Sequence, residues 1–246
     1  MARPKGGDSV ARKKGGGAKG RKNRPRQVYI FTEGEVTEPE YVDIIVAKGT
    51  PAVPGRSVDC HFENENAVGK HRKPYAMVKD AVRTLRKVER EAKAAGLKQD
   101  DDWNWPQVWV LFDRDDHLNI TEARQLADKE GVKIAYSHPC FELWRLLHYT
   151  NYTSSFGGVC TDANSRLRSR PGFAATYGRQ VRTVSEQQSK HMREEQVLSA
   201  DGQRYASAKK FAQKINAAQL PVNPEKWDPY TDVWCFVEDG LLLSGY

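Results

Sequence analysis

The sequence predicts an α/β fold, a parallel sheet flanked by helices, followed by a helical C-terminal elaboration. From Gln27 to about residue 150, short apolar runs alternate with segments of helical period, the pattern of βαβ units. One of these runs, "QVWVLF" (107–112), is apolar almost throughout, as a strand covered on both faces must be. From about residue 140 onwards the periodic segments are helical.

Residues 1–26 stand apart from this pattern. They hold ten Lys or Arg against one acid, Asp8, for a net charge of +9. The whole chain carries +7, so residues 27–246 sum to −2 and the pI of 9.2 belongs to the leading segment. With almost nothing apolar to bury, that segment is expected to be a disordered basic arm. Such an arm suits a phosphate backbone through counterion release, or serves only as a solubilising leader. It has no apolar stretch of the kind a secretory signal needs.

The first apolar run, "QVYIF" (27–31), gives a strand, "TEGE" a short acidic loop, and Tyr41, Ile44 and Ile45 a helix. "SVDCHFEN" (57–64) alternates as a second strand. Met77, Val78, Ala81, Val82, Leu85 and Val88 recur at i, i+3, i+4 spacing, a long amphipathic helix over 75–97 stopped at Gly96. "QVWVLF" is a central third strand, a helix follows near 121–130, and "VKIAYS" (132–137) is the fourth strand. "CFELWRLLHY" (140–149) is helical; 151–203 is polar and is either a loosely structured insertion or short helices. "RYASAKKFAQKINAAQ" (204–219) forms a helix and "YTDVWCFVEDGLL" (230–242) a last amphipathic one. The organisation is therefore a basic arm (1–26), an α/β domain (27–150) and a helical elaboration (151–246).

No run of apolar residues is long enough to span a membrane. Cys60, Cys140, Cys160 and Cys235 are scattered without zinc-site spacing, so reduced thiols in a cytoplasmic protein are expected, and no soft-ligand metal centre.

In an open parallel sheet, sites form at the carboxyl ends of strands. Two acidic clusters fall there: Glu33 in "TEGE", and Asp113, Asp115 and Asp116 in "FDRDDH". Residues i and i+2 of an extended segment project to the same side, about 6 to 7 Å apart along the chain, so Asp113 and Asp115 can meet at one point. Hard oxygen ligands suit Mg²⁺ or Mn²⁺, and Glu33 would close the site from a neighbouring strand, with Gly34 as the tight turn that leaves it. Such a metal activates water and stabilises charge developing on a phosphodiester. The competing reading has "DRDD" cap the next helix, the role left for Asp116, with His117 a cap or loop residue.

A wider match follows from these motifs. A strand ending in "EGEVTE" and an apolar strand ending in "LFDRDD" resemble the Toprim domain of topoisomerases, primases and OLD-type nucleases. With "IAYSHPCFELWRLLHY" and the late "NPEKWDPYTDVWCFVE", the order and spacing resemble the RloB-like family of bacterial defence proteins, closely over 27–150 and loosely beyond. The resemblance implies a Toprim-like, Rossmann-like sheet and a Mg²⁺-dependent nuclease acting in anti-phage abortive infection. It also implies an AAA-type ATPase encoded alongside, and DNA or tRNA as substrate. The Toprim glutamate falls on Glu33 and the paired aspartates on Asp113 and Asp115. In the intact "PCFELW" segment, Glu142 would be an added ligand or supporting acid.

Glu142, Arg145 and His148 interrupt an otherwise apolar helix at three-residue steps and so share one side of it. Either that side faces the metal, with Arg145 clamping phosphate and His148 relaying a proton, or it is an exposed Glu142–Arg145 pair beside a solvated His148. Arg114 either balances local charge or meets a phosphate. "GKHRKPY" (69–75) offers Lys70, Arg72 and Lys73 to substrate or is a solvated loop. Trp103 and Trp105 cover the end of the core or stack on bases. A binding module, with a structural ion and a partner ATPase doing the work, is the alternative to an enzyme. Homo-oligomerisation is left open.

Overall fold

The computed structural model describes residues 24–199, 201–219 and 223–246. The basic arm lies outside the described residues up to position 23. Its expected end at 26 needs correction, since Arg26 already opens the first strand. The Arg26 side chain is buried and donates hydrogen bonds to the carbonyls of Trp103 and Asp239.

The main sheet runs in the order β3-β1-β4-β5-β6, with β1 (Arg26–Thr32), β3 (Val58–Phe62), β4 (Gln107–Asp113) and β5 (Lys133–His138) parallel. The sequence thus yields a mostly parallel α/β sheet flanked by helices, with β4 in the middle, as its unbroken apolarity predicts. Alternation along the strands sorts side chains between two cores. Val28, Ile30, Trp109, Leu111 and Ala135 face one layer; Phe31, Val108, Val110, Phe112 and Tyr136 face the other.

On the first face lie α1 (Thr37–Lys48), α4 (Phe141–Leu147) and the C-terminal elements; α2 (Pro74–Ala94) and α3 (Ile120–Glu130) cover the second. Helix α2 ends near Gly96, whose φ of 82° is the left-handed conformation that a glycine takes at little cost. The first core is continuous across position 150, joining Trp144 and Leu147 to Phe173, Val197 and Tyr205.

The polar segment after 150 resolves into short helices: α5 (Cys160–Arg168), α6 (Pro171–Ala174), α7 (Glu186–Lys190) and α8 (Glu194–Val197). A longer helix, α9 (Arg204–Ala217), follows as expected. The last amphipathic helix expected over 230–242 forms only in part, as an α-helical turn running into a π-helical one over 233–240. Tyr230–Thr231 instead pairs antiparallel with His138 and Ser137 as the edge strand β6, and the Asp232 carboxylate accepts the Tyr136 amide at 2.6 Å. A helical turn (Val233–Cys235), a π-helical turn (Phe236–Gly240) and a strand (Leu243–Gly245) complete the chain; that strand pairs with a two-residue β2 (Thr50–Pro51). Sheet pairing and a buried carboxylate outcompete the helical period over 230–232.

Two further expectations change. Cys140 and Cys160 form a disulfide, leaving only Cys60 and Cys235 free. Position 140 precedes α4 and 160 opens α5, and the packing of these helices holds the two Cα atoms 5.5 Å apart, within disulfide reach although they are twenty residues apart in sequence. Trp105 is buried and Trp103 lies under Arg56, at the amino ends of the strands and so away from the acids; both cover the core. Among the described residues, no helix is long and apolar enough to cross a membrane.

Trp144, wholly buried in the first core, donates its indole N–H to the Tyr41 hydroxyl at 2.8 Å. Trp144→Ala is expected to cost about 3–5 kcal/mol in urea unfolding; a loss below about 1 kcal/mol would show that this helix does not anchor the elaboration.

Candidate metal centre

Strand register builds the site. Thr32 pairs with Leu111, so Glu33, the first residue past β1, donates its amide to the Leu111 carbonyl at 3.0 Å. Its side chain then turns across β4: Oε2 accepts the Asp113 amide at 3.0 Å, and Oε1 lies 2.7 Å from His117 Nε2. His117 is therefore a partner of the site. The helix cap is not its role, nor that of Asp116: α3 begins after Asn119 with no side-chain cap, and Asp116 is exposed.

A third acid joins these from the first turn of α1. Glu38 is buried, and its Oε1 accepts the Gly34 amide at 3.0 Å. A Cβ at position 34 would lie 2.0 Å from Glu38 Oε2, so any larger residue there would displace this carboxylate. Glu142, in the first turn of α4, supplies the remaining charge. Burial, then Glu142, pushes the Glu38 carboxyl up to about 7. Burial, followed by the charges of Glu33, Glu38 and Glu142, raises Asp113 well above its ordinary range, although the Phe141 amide at the start of α4 favours its anion.

Glu33, Glu38, Asp113 and Glu142 thus act on one another at the carboxyl edge of the sheet. They do not converge as tightly as a filled site: among the described residues, no three of these acids bring oxygens within 4.8 Å of one another. Like charges keep apart when nothing neutralises them, and Glu33 is turned onto His117 and an amide. The hydrogen bond that His117 donates to Glu33 also raises the His117 pKa. This all-carboxylate donor set fits a hard divalent cation such as Mg²⁺ or Mn²⁺.

Asp115 has a different position from that expected. The chain is no longer extended after Asp113; Asp115 lies in a turn with φ of 33°, exposed, its amide on the Pro139 carbonyl at 3.2 Å. The same-side argument fails there, but its carboxyl still feels burial, Asp116 and then Glu33, all of which raise its pKa. Arg114 donates to the Asp115 carbonyl and remains partly exposed beside the acids.

Three of the expected substrate contacts are corrected. Arg72 is buried: it donates to the carbonyls of Thr32 (3.0 Å), Asn64 (2.9 Å), Glu65 (3.0 Å) and Ala67 (3.1 Å). It fastens the end of β1 and thereby positions Glu33 and Gly34. Arg145 is buried, donating to the Ser189 carbonyl (2.8 Å) and Gln196 Oε1 (3.2 Å) and lying 5.3 Å from the Phe173 ring centre. His148 is buried between the Trp144 carbonyl and the Tyr246 hydroxyl, 2.8 Å from each; desolvation lowers its pKa to about 4, so it is neutral near pH 7. Neither the phosphate-clamp nor the exposed-pair reading survives, because helices α6 to α8 and Tyr246 cover that side of α4. Lys70 and Lys73 are exposed, and the charge of Lys73 reaches His117.

The sequence model of one family, described as RloB-like protein, matches residues 28–239. The chain belongs to the RloB-like family. Comparison with curated proteins and with solved structures found no match. In this RloB-like chain the family match spans all four acids, Arg72 and both cysteines of the disulfide.

Two outcomes follow. A carboxyl whose pKa is raised by folding favours the folded state below its ordinary value of 4.5, and this contribution is lost as pH rises through about 7. In EDTA at pH 8, Glu38→Gln is therefore expected to exceed the native chain in stability by on the order of 3 kcal/mol, an advantage that vanishes as pH falls below the ordinary value of 4.5. Equal urea midpoints at pH 8 would remove the electrostatic conflict. Arg72→Ala, which strands buried carbonyls, is expected to cost about 3 kcal/mol, whereas Lys70→Ala and Lys73→Ala leave thermal unfolding unchanged. A soluble, fully stable Arg72→Ala chain would exclude the clamp.

Proposed function

We propose that this protein is a Mg²⁺- or Mn²⁺-dependent nuclease, hydrolysing phosphodiester bonds in DNA or tRNA. The observation that carries this reading is the assembly of Glu33, Glu38, Asp113 and Glu142 at the strand ends, with Asp113 and Glu38 held far from their ordinary protonation. A structural ion needs fewer acids, and a fold seldom retains such self-repulsion without a use for it.

Glu33, Asp113 and Glu38 would hold the cation, with Glu142 and Asp115 beside them. When bound, a divalent ion stabilises charge developing on a phosphodiester and lowers the pKa of water. The chain's own residues supply the rest. Gly34 leaves room for the Glu38 carboxylate, Arg72 fixes the strand end that presents Glu33, and the Phe141 amide steadies Asp113 as an anion. His117, now 2.7 Å from Glu33 Oε1, would be free to hold or give a proton if that carboxylate served the cation. Arg114, Lys70 and Lys73 would be the cations that meet phosphate around this edge.

The anti-phage abortive-infection role, the AAA-type ATPase partner and the Toprim relationship belong to the same proposal and rest on the family resemblance; the cytoplasmic location belongs to it too and rests on cysteine spacing. The test incubates the full chain, alone and with the neighbouring ATPase, with plasmid, linear and single-stranded DNA and total tRNA, in Mg²⁺, Mn²⁺ or EDTA. Cleavage that requires metal and falls at least 100-fold in Asp113→Ala, an expectation of about 3 kcal/mol in the barrier, supports the reading. No cleavage of any substrate with the partner present rejects it.

A further inference from the structure

A second cation site of different chemistry lies at the edge of the acidic cluster. Its residues are Cys140, immediately before α4, Cys160, the first residue of α5, and Glu142, in the first turn of α4. One ligand atom from each lies within 4.8 Å of the other two. Their wide separation in sequence hides the grouping, which arises only because α4 and α5 pack together.

Glu142 Oε2 stands 3.6 Å from Cys160 Sγ. A sulfur in a disulfide has no proton to donate, so in the oxidised chain this carboxylate oxygen faces an atom that cannot bond it. The other oxygen, Oε1, is 3.7 Å from Arg145 Nη1, which leaves Oε2 available. In a tetrahedral zinc site, with Zn–S of about 2.3 Å and Zn–O of about 2.0 Å, a sulfur and an oxygen ligand lie about 3.5 Å apart. The Cys160–Glu142 contact already has that spacing. The two sulfurs would have to separate to about 3.7 Å, which requires breaking the bond between them. Cys160 is the first residue of the nine-residue α5, where the thiolate form is favoured. Cys140 is buried, whereas Cys160 and Glu142 are partly exposed and give a cation a way in.

We infer that reduction of the Cys140–Cys160 disulfide creates a binding site for a thiophilic divalent cation, Zn²⁺ or its mimic Co²⁺, formed by the two thiolates and the Glu142 carboxylate, with water as fourth ligand. The chemistry balances with a dithiol as reductant. The S–S bond takes up two electrons and two protons while the dithiol becomes a disulfide, and cation binding then releases the two thiol protons to solvent. Two thiolates, one carboxylate and one divalent cation leave the filled site with a single negative charge. Glu142 belongs to both sites, so a cation held here withdraws one acid from the edge described above.

The test uses the full chain carrying Cys60→Ser and Cys235→Ser, so that only the pair in question reports. Reduced with a phosphine and titrated anaerobically with Co²⁺, it is expected to develop a thiolate-to-cobalt charge-transfer band that saturates at one equivalent and is displaced by Zn²⁺. The oxidised chain and Cys160→Ser are expected to show no such band. Glu142→Gln, which keeps side-chain size, is expected to retain the band with affinity lowered on the order of tenfold. Far-ultraviolet circular dichroism of each form confirms that it is folded. A folded, reduced chain without the band, a band that persists in Cys160→Ser, or unchanged affinity in Glu142→Gln overturns the inference. Because binding is read without nucleic acid, this result and the nuclease assay fail or succeed separately.

Discussion

The pairing of β1 with β4 is the constraint on which the rest depends. Parallel register sets Thr32 opposite Leu111, so the backbone hydrogen bond of the next residue and the carboxylate of that same residue both land on β4. A shift of one residue would turn Glu33 to the other face of the sheet and separate it from Asp113. Because β4 is central, the two acids emerge where neighbouring elements crowd in, and the first turns of α1 and α4 bring Glu38 and Glu142 to the same edge. The sheet thus imposes a cluster of like charges that no local preference would assemble.

That cluster needs a framework stiff enough to resist it. Arg72 replaces water at four or more carbonyls around the end of β1, and Asn64 bonds both the amide and the carbonyl of Thr32. On the far side, α4 is held by the wholly buried Trp144 and by Arg145, which reaches back to Ser189 and Gln196 in the elaboration. The segment after residue 150 therefore acts as a brace for the helix that carries Glu142. Its polar composition is spent on these contacts: Gln196 alone bonds Arg145 and the Tyr177 hydroxyl.

How much of this the sequence discloses depends on the range of the interaction that decides each feature. Strands and helices from 27 to 149 are legible because alternation and helical period are local, and Glu33, Asp113 and Glu142 are legible because acids at strand ends or in a buried helix are anomalies. The corrections arise where a distant segment decides. Residues 230–242 carry a helical pattern, yet Tyr230 and Thr231 pair with β5, about ninety positions away, and only 233–240 are helical. Arg145 and His148 mark one side of α4 correctly, but what covers that side, including Tyr246, lies far along the chain. Asp115 was placed by strand geometry that ends at Asp113. Glu38 carries a signal in the sequence, an acid in the first turn of the helix after Gly34, where it is close to the amide it accepts. His117 had none, since a histidine after an acidic turn has many fates.

The first turn of α4 joins the two halves of the molecule. Glu142 divides its carboxylate: one oxygen lies toward Arg145 and the brace, the other against the sulfur that ties α4 to α5. Its charge nevertheless weighs on both Glu38 and Asp113 across the edge of the sheet. A residue so placed cannot be neutralised, moved or captured without altering the balance among the other three acids. The disulfide fixes the ends of the same two helices, so the covalent state of the sulfurs and the protonation of the carboxylates are linked through one side chain. In a parallel sheet, where sites are assembled from strand ends and the helices that follow them, that linkage places the bond state of the cysteines within the electrostatics of the site.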